Sequence, residues 1–75
     1  MERKIEIGKI YKHFKGHIVK VVNFAEHTET SENLVIYMHL GTNKIWARPY
    51  DMFNSLIDKE KYPNVDQKYR FESVD

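Results

Sequence analysis

The chain is 75 residues long, which allows one domain with a small core, and its lack of cysteine excludes a disulfide framework and a thiolate zinc site. Twelve Lys and Arg against eleven Asp and Glu give a formal net charge of +1, too near neutral for the broad basic surface of a nonspecific nucleic-acid binder. We expect a cytoplasmic protein without a membrane segment. Residues 1–7 mix charges, and no stretch approaches the roughly 18 apolar residues of a membrane span.

The first predicted element is a short edge strand over residues 8–14, which follows a lead-in over residues 1–7. Its alternation places Tyr11 and His13 on one face, and Ile10, Lys12 and Phe14 on the other. Lys15 and Gly16 then mark a turn, because glycine accepts backbone angles that are closed to other residues.

A longer strand is predicted over residues 17–25, which contain four β-branched residues and an aromatic one. Its apolar side chains fall on both faces, as in a strand that coils through the wall of a barrel. Residues 26–33 contain no apolar residue, so they predict an exposed hairpin loop.

The next strand is predicted over residues 34–40. Its core-facing residues are expected to be Leu34, Ile36, Met38 and Leu40, with Val35, Tyr37 and His39 on the other face. Residues 41–44 have the composition of a turn, so residues 44–48 are expected to form an antiparallel hairpin with the strand before them.

Pro49 cannot donate to a β-ladder and holds its φ near the helical value, so we expect a helical turn over residues 50–53. Met52 and Phe53 of this turn, and Phe14 at the end of the first strand, are assigned to the core. Residues 58–64 predict an exposed excursion. A last strand is predicted over residues 68–74, with Tyr69, Phe71 and Ser73 facing inward.

Five or six short antiparallel strands with one helical turn after Pro49 predict an all-β fold, a small SH3-like barrel. We treat residues 1–75 as one domain, in which residues 8–74 form the barrel. An OB-like barrel is the second choice, because that fold normally needs a longer chain with a helix between strands.

Three ordered motifs lie along the chain: Gly8-x-x-Tyr11-x-His13-Phe14-Lys15-Gly16, His27-x-Glu29-Thr30 and Trp46-x-Arg48-Pro49-x-x-Met52-Phe53. As a set they resemble the small bacterial and phage domain-of-unknown-function family 1653 (DUF1653), over roughly residues 8–74. The resemblance implies an SH3-like, all-β single domain that occurs alone or fused to other modules. It implies no established activity.

The candidate ligand site centres on Trp46 and Arg48, which are two residues apart and therefore share one face of their strand. An indole can stack on a flat ring while a guanidinium holds a phosphate. The residues expected around this pair are Tyr11, His13, Tyr37, Glu29, His27 and Lys15. Two structural alternatives remain open: Trp46 as the largest core residue, and Glu29 as an ion-pair partner of Arg48.

These residues favour a noncatalytic binding module for a nucleotide-like anion or single-stranded nucleic acid. A protein-interaction module or homodimer that docks by a strand edge or groove is the alternative. A weaker one is a small metal-dependent hydrolase built on His13, His27 and Glu29. We predict no catalytic residue, no metal ligand and no cofactor, because no catalytic motif or H-E-x-x-H pair is present.

Overall fold

The computed structural model describes residues 3–74, so Met1, Glu2 and Asp75 of the predicted domain, including the start of the lead-in, lie outside the described residues. In chain order the elements are β1 (Ile10–His13), β2 (Ile18–Glu26), β3 (Asn33–His39), β4 (Ile45–Pro49), α1 (Tyr50–Phe53) and β5 (Phe71–Ser73). The predicted all-β fold and the helical turn after Pro49 are confirmed. No helix within residues 3–74 is long and apolar enough to cross a membrane.

The strands form one antiparallel sheet in the order β4-β3-β2-β1-β5. The sheet does not close into the predicted barrel, because within residues 3–74 β4 and β5 remain its two edges. It is nevertheless strongly curled. Arg48 of β4 and Phe71 of β5 approach to 5.5 Å between guanidinium carbon and ring centroid, although three strands separate them in the sheet. The short β5 pairs with β1, and no β4–β5 ladder is formed within residues 3–74.

Aromatic side chains fill the inner face of the curl. The rings of Phe53 and Phe71 stack at 4.0 Å and 4°. Tyr11 packs edge-on against Phe53, and Tyr37 contacts both phenylalanines. Aliphatic residues complete the buried cluster: Ile5, Val19, Val21 and Val35. The short helix α1 serves this core, because it delivers Phe53 to the middle of the aromatic group.

The predicted core face of β3 is wrong. Val35 and Tyr37 are buried, whereas Leu34, Ile36 and Met38 are only half-buried on the reverse face and Leu40 is exposed. Both faces of this strand carry apolar side chains, so alternation alone allows either register. The aromatic contacts of Tyr37 with Phe53 and Phe71 determine which face of β3 is buried, since an aromatic ring buries more area than a single aliphatic side chain.

A register shift in β2 explains why its apolar residues point both ways. The pairing with β3 steps from Val21 to Asn23, which leaves Val22 as the extra residue of a β-bulge. Beyond the bulge, Phe24 pairs with Val35 and so returns to the inner face. The bulge bends β2 and contributes to the curl of the sheet.

Other core assignments also need correction. Met52 is exposed, Phe14 is half-buried, and Ser73 is exposed although it pairs with buried Tyr11. In the lead-in, Ile5 is buried and its amide donates to the Tyr50 hydroxyl at 2.9 Å. The described part of the lead-in therefore belongs to the packed domain.

Candidate functional site

A cavity of about 180 Å³ opens at the end of the sheet where the β1–β2 turn lies. Its lining comes from all five strands and that turn: His13, His17, Val19, Tyr37, Trp46, Arg48 and Phe71. Val19, Tyr37 and Phe71 are buried and form the floor, whereas Trp46 is 44% exposed and forms part of the rim. Trp46 is thus not a core residue.

The position of Trp46 follows from strand pairing. Trp46 lies directly opposite Tyr37 in the β3–β4 ladder, and their rings meet edge to face at 6.1 Å. His39 also contacts the indole, at 5.5 Å between ring centroids. Because β4 is an edge of the sheet, no further strand of the described chain covers Trp46, and the indole stays accessible.

Arg48 is held at the cavity by neutral partners. Its Nε donates to the Tyr37 hydroxyl at 3.3 Å, and its guanidinium carbon lies 5.5 Å from the Phe71 ring centroid. Within residues 3–74 it forms no ion pair with Glu29, and Nη1 and Nη2 make no hydrogen bond. Among the described residues the charge of Arg48 is therefore uncompensated, and its terminal nitrogens keep donors for a ligand.

The histidines at this end are oriented by backbone amides. The Lys15 amide donates to Nδ1 of His13 at 3.1 Å, and the Thr42 amide donates to Nδ1 of His39 at 3.2 Å. A neutral imidazole that accepts at Nδ1 carries its proton on Nε2. Nε2 of His39 then donates to Nδ1 of His17 at 3.3 Å, which places the His17 proton on Nε2 as well.

Burial, as the main cause, and the charge of Arg48, as the next, together lower the pKa of His13 from its ordinary value of 6.5 to about 4. His13 is therefore neutral at pH 7. Its Nε2–H then acts as a neutral donor beside the cationic Arg48, and the cavity avoids placing a second positive charge next to that half-buried guanidinium.

The polar groups at the cavity are hydrogen-bond donors. They comprise the terminal nitrogens of Arg48, the Nε2–H groups of His13 and His17, and the hydroxyl proton of Tyr37. No described residue of the lining carries a carboxylate. The arrangement favours a flat ligand that bears acceptors or negative charge, held between aromatic walls.

The other residues predicted for the site lie elsewhere. Tyr11 is in the core, and its hydroxyl accepts from the Glu6 amide at 3.1 Å. Lys15 lies in the β1–β2 turn, 5.9 Å above the Phe14 ring. His27 and Glu29 lie in the β2–β3 loop at the other end of β2, where Nδ1 of His27 accepts from the Glu29 amide.

The hydrolase arrangement is not formed by the described residues. His13 is the last residue of β1 and lies next to the β1–β2 turn, whereas His27 and Glu29 follow the far end of β2. No group of three possible metal ligands occurs within residues 3–74. The Nδ1 atom of His13 already accepts a hydrogen bond from the Lys15 amide.

Sequence reasoning missed His17, Val19 and Phe71 as lining residues. A signal for His17 was present, because residues 17 and 19 of an extended chain share a face and Val19 was expected in a strand. Phe71 could not be placed, because its approach depends on the curl that brings β5 near β4.

The fold and the cavity together define a small, open antiparallel β-sheet domain with an aromatic, donor-lined pocket at one end. The chain belongs to the family described as "Protein of unknown function (DUF1653)", whose sequence model matches residues 9–73. The resemblance seen in the three sequence motifs is therefore confirmed. Neither the curated proteins nor the solved structures give a significant match to the chain.

Proposed function

We propose that this protein is a noncatalytic cytoplasmic binding module that captures the base and phosphate of a nucleotide or of single-stranded nucleic acid. The observation that carries the proposal is the pocket beside Trp46, whose polar groups donate hydrogen bonds and whose described lining has no carboxylate. Nucleobase edges and phosphates both offer acceptors. Arg48, without a protein counterion among the described residues, is the phosphate-binding group.

Pocket size limits what enters. A cavity of about 180 Å³ is smaller than the roughly 300–1,000 Å³ typical of pockets that bury a drug-sized ligand. It suits a single flat ring, with the sugar and phosphate at the rim. The indole of Trp46 provides a stacking face at that rim, and stacking of a base on an aromatic side chain contributes about 1–3 kcal/mol.

Titration of the protein with nucleoside monophosphates, followed by the fluorescence of its single tryptophan, tests the proposal. We expect saturable quenching of Trp46. Arg48→Lys keeps the charge and loses the planar fork of donors, so it should weaken binding by roughly tenfold. Arg48→Gln should weaken it further, because the charge is also lost.

Lys20→Gln is the matched control, because Lys20 is exposed on the reverse face of β2, between buried Val19 and Val21. It removes the same charge and should leave the affinity unchanged. An unaltered Trp46 signal with every nucleotide and with short oligonucleotides would overturn the proposal. If the Lys20 and Arg48 variants lost affinity equally, the interaction would be nonspecific attraction between charges.

A second candidate function is docking of a peptide strand or of a second copy along β4. This edge strand lies beside an open groove of about 550 Å³ that includes Trp46, Pro49 and Met52. Ile45, on the same strand, is 55% exposed. Exposed strand edges accept an added strand by backbone hydrogen bonding.

Solution mass measured over a wide concentration range tests self-docking. A dimer that Ile45→Asp dissociates would favour the strand-edge function, because the charge would be placed on the exposed edge. A protein that is monomeric at all concentrations would exclude self-docking, and only the docking of a peptide would remain. A pulldown with wild-type and Ile45→Asp protein then tests peptide docking.

A further inference from the structure

A second cavity, of about 230 Å³, lies next to the donor-lined pocket. Phe14 and Tyr62 form its aromatic wall, with their ring centroids 4.9 Å apart. Phe14 also stacks on His13 of the first pocket at 4.6 Å and 29°. The two cavities are therefore separated by one pair of stacked rings.

The charges around the second cavity are mostly positive. Nζ of Lys15 lies 5.9 Å from the Tyr62 ring centroid, and Nζ of Lys61 lies 5.5 Å from it. Arg70 lines the cavity with its Nε bonded to the Ser55 hydroxyl at 3.2 Å. The acidic lining residue is Asp58, and one of its oxygens already accepts from the Glu60 amide at 3.0 Å.

The β1–β2 turn connects the two cavities. Phe14, at its start, lines the second, and His17, at its end, lines the first. Between them Lys15 and Gly16 are exposed, and Gly16 adopts a φ of +103° that other residues rarely adopt. With no Cβ at Gly16, an extended ligand can cross the turn close to the backbone, beside the Lys15 ammonium.

Ring contacts run without a gap from one cavity to the other. In order, the rings belong to Trp46, His39, His17, His13, Phe14 and Tyr62, with centroid separations of 5.5, 5.3, 5.8, 4.6 and 4.9 Å. Aromatic side chains beside a line of cations are the arrangement by which proteins hold single-stranded nucleic acid without reading its sequence.

We propose that the Phe14–Tyr62 cavity is a second nucleotide subsite, so that the ligand of this protein is a single strand of nucleic acid that crosses the β1–β2 turn. The inference rests on the proposed function of the first pocket. In the proposed complex, one base enters the first pocket beside Trp46, and a neighbouring nucleotide lies against Tyr62. Lys15 contacts the phosphate between these two nucleotides, and Lys61 contacts the phosphate that follows.

Binding of thymidine monophosphate and of oligothymidylates of about four and eight nucleotides, as DNA and as the RNA equivalents, tests the second subsite. We expect the octamer to bind at least about tenfold more tightly than the mononucleotide. The double variant Lys15→Gln/Lys61→Gln should lose this gain and still bind the mononucleotide. Its salt dependence should be shallower by about 1.4 in log K against log salt, because two phosphate contacts are removed.

Lys12→Gln/Lys20→Gln is the matched control, since both lysines lie on the reverse face of the sheet and the variant loses the same charge. If the octamer binds no better than the mononucleotide, or if both double variants weaken it equally, the second subsite is overturned while the first pocket stands. If neither ligand binds, both proposals fail. Equal binding of a poly-glutamate peptide would show anion binding only and overturn the nucleic-acid ligand.

Discussion

The two ends of the β3–β4 hairpin carry cavities of similar size and opposite charge. The donor-lined pocket of about 180 Å³ contains Arg48 and no described carboxylate. At the other end, a cavity of about 260 Å³ beside the β2–β3 loop is lined by Glu32 and Asp51 and by no described cation. These side chains would favour an anion at the first cavity and disfavour one at the second, although the whole chain has a formal net charge of only +1.

Histidine geometry, by contrast, is the same at both ends. His27 accepts the Glu29 and Thr30 amides at Nδ1, much as His13 accepts the Lys15 amide and His39 accepts the Thr42 amide. What differs is the surroundings. His13 packs against Phe71, and His39 packs against Trp46. A histidine that caps a turn is therefore a local feature, and neighbours distant in sequence decide whether it can contact a ligand.

The largest expected effect is a loss of stability when an aromatic residue is removed from the Trp46 end of the sheet. Phe71→Ala removes the ring that stacks on Phe53 and forms the pocket floor, and a buried Phe→Ala change costs about 3–5 kcal/mol. Phe24→Ala, at the acidic end, removes a ring that is 39% exposed and should cost roughly half as much or less. Urea denaturation of the three proteins measures both values. Equal losses would contradict the packing described for Phe71.

A smaller effect concerns pH. The pKa of His13 is about 4 in the folded protein and 6.5 when unperturbed, so between these values the unfolded chain binds more protons. The free energy of unfolding should therefore fall as pH falls from about 6.5 to about 4, with roughly 1–3 kcal/mol of the loss due to His13. In His13→Asn, which keeps an acceptor near the Lys15 amide, this part of the slope should vanish.

Urea titrations at several pH values compare the two slopes. Other titrating groups contribute equally to wild type and variant, so the difference between the curves isolates His13. Parallel curves from pH 7 to pH 4 would show that His13 is protonated as readily in the folded protein as in the unfolded chain.

Local signals in the sequence were sufficient to predict the elements. The β-branched run that became β2, the composition of the turns, and the fixed φ of Pro49 before α1 all act within a few residues. The face of β3 was not predictable in this way. Both of its faces carry apolar side chains, and the choice depends on where Phe53 and Phe71 pack. The bulge at Val22 was equally hidden, because it depends on pairing with β3.

The candidate site likewise has one part that the sequence predicts and another that depends on the tertiary structure. Trp46 and Arg48 share a face because they are two residues apart in a strand, and the sequence shows that spacing. Their approach to Phe71 depends on a sheet that curls without closing, and no local pattern reports curl. Glu29 was an attractive partner for Arg48 by charge alone, but it lies in the hairpin loop, and the neutral Tyr37 hydroxyl takes its place.

The smallest expected effect sharpens the comparison between the two ends. His27→Ala and His39→Ala each remove an Nδ1 acceptor from turn amides, so each should lower the free energy of unfolding by about 1 kcal/mol. Only His39→Ala should also weaken nucleotide binding, because it removes the hydrogen bond that orients His17 and the imidazole ring that packs against Trp46. Denaturation and nucleotide titration of the same two samples separate the effects. If His27→Ala weakened binding as much as His39→Ala, the ligand would not be confined to the Trp46 end, and the charge difference between the cavities would not direct it.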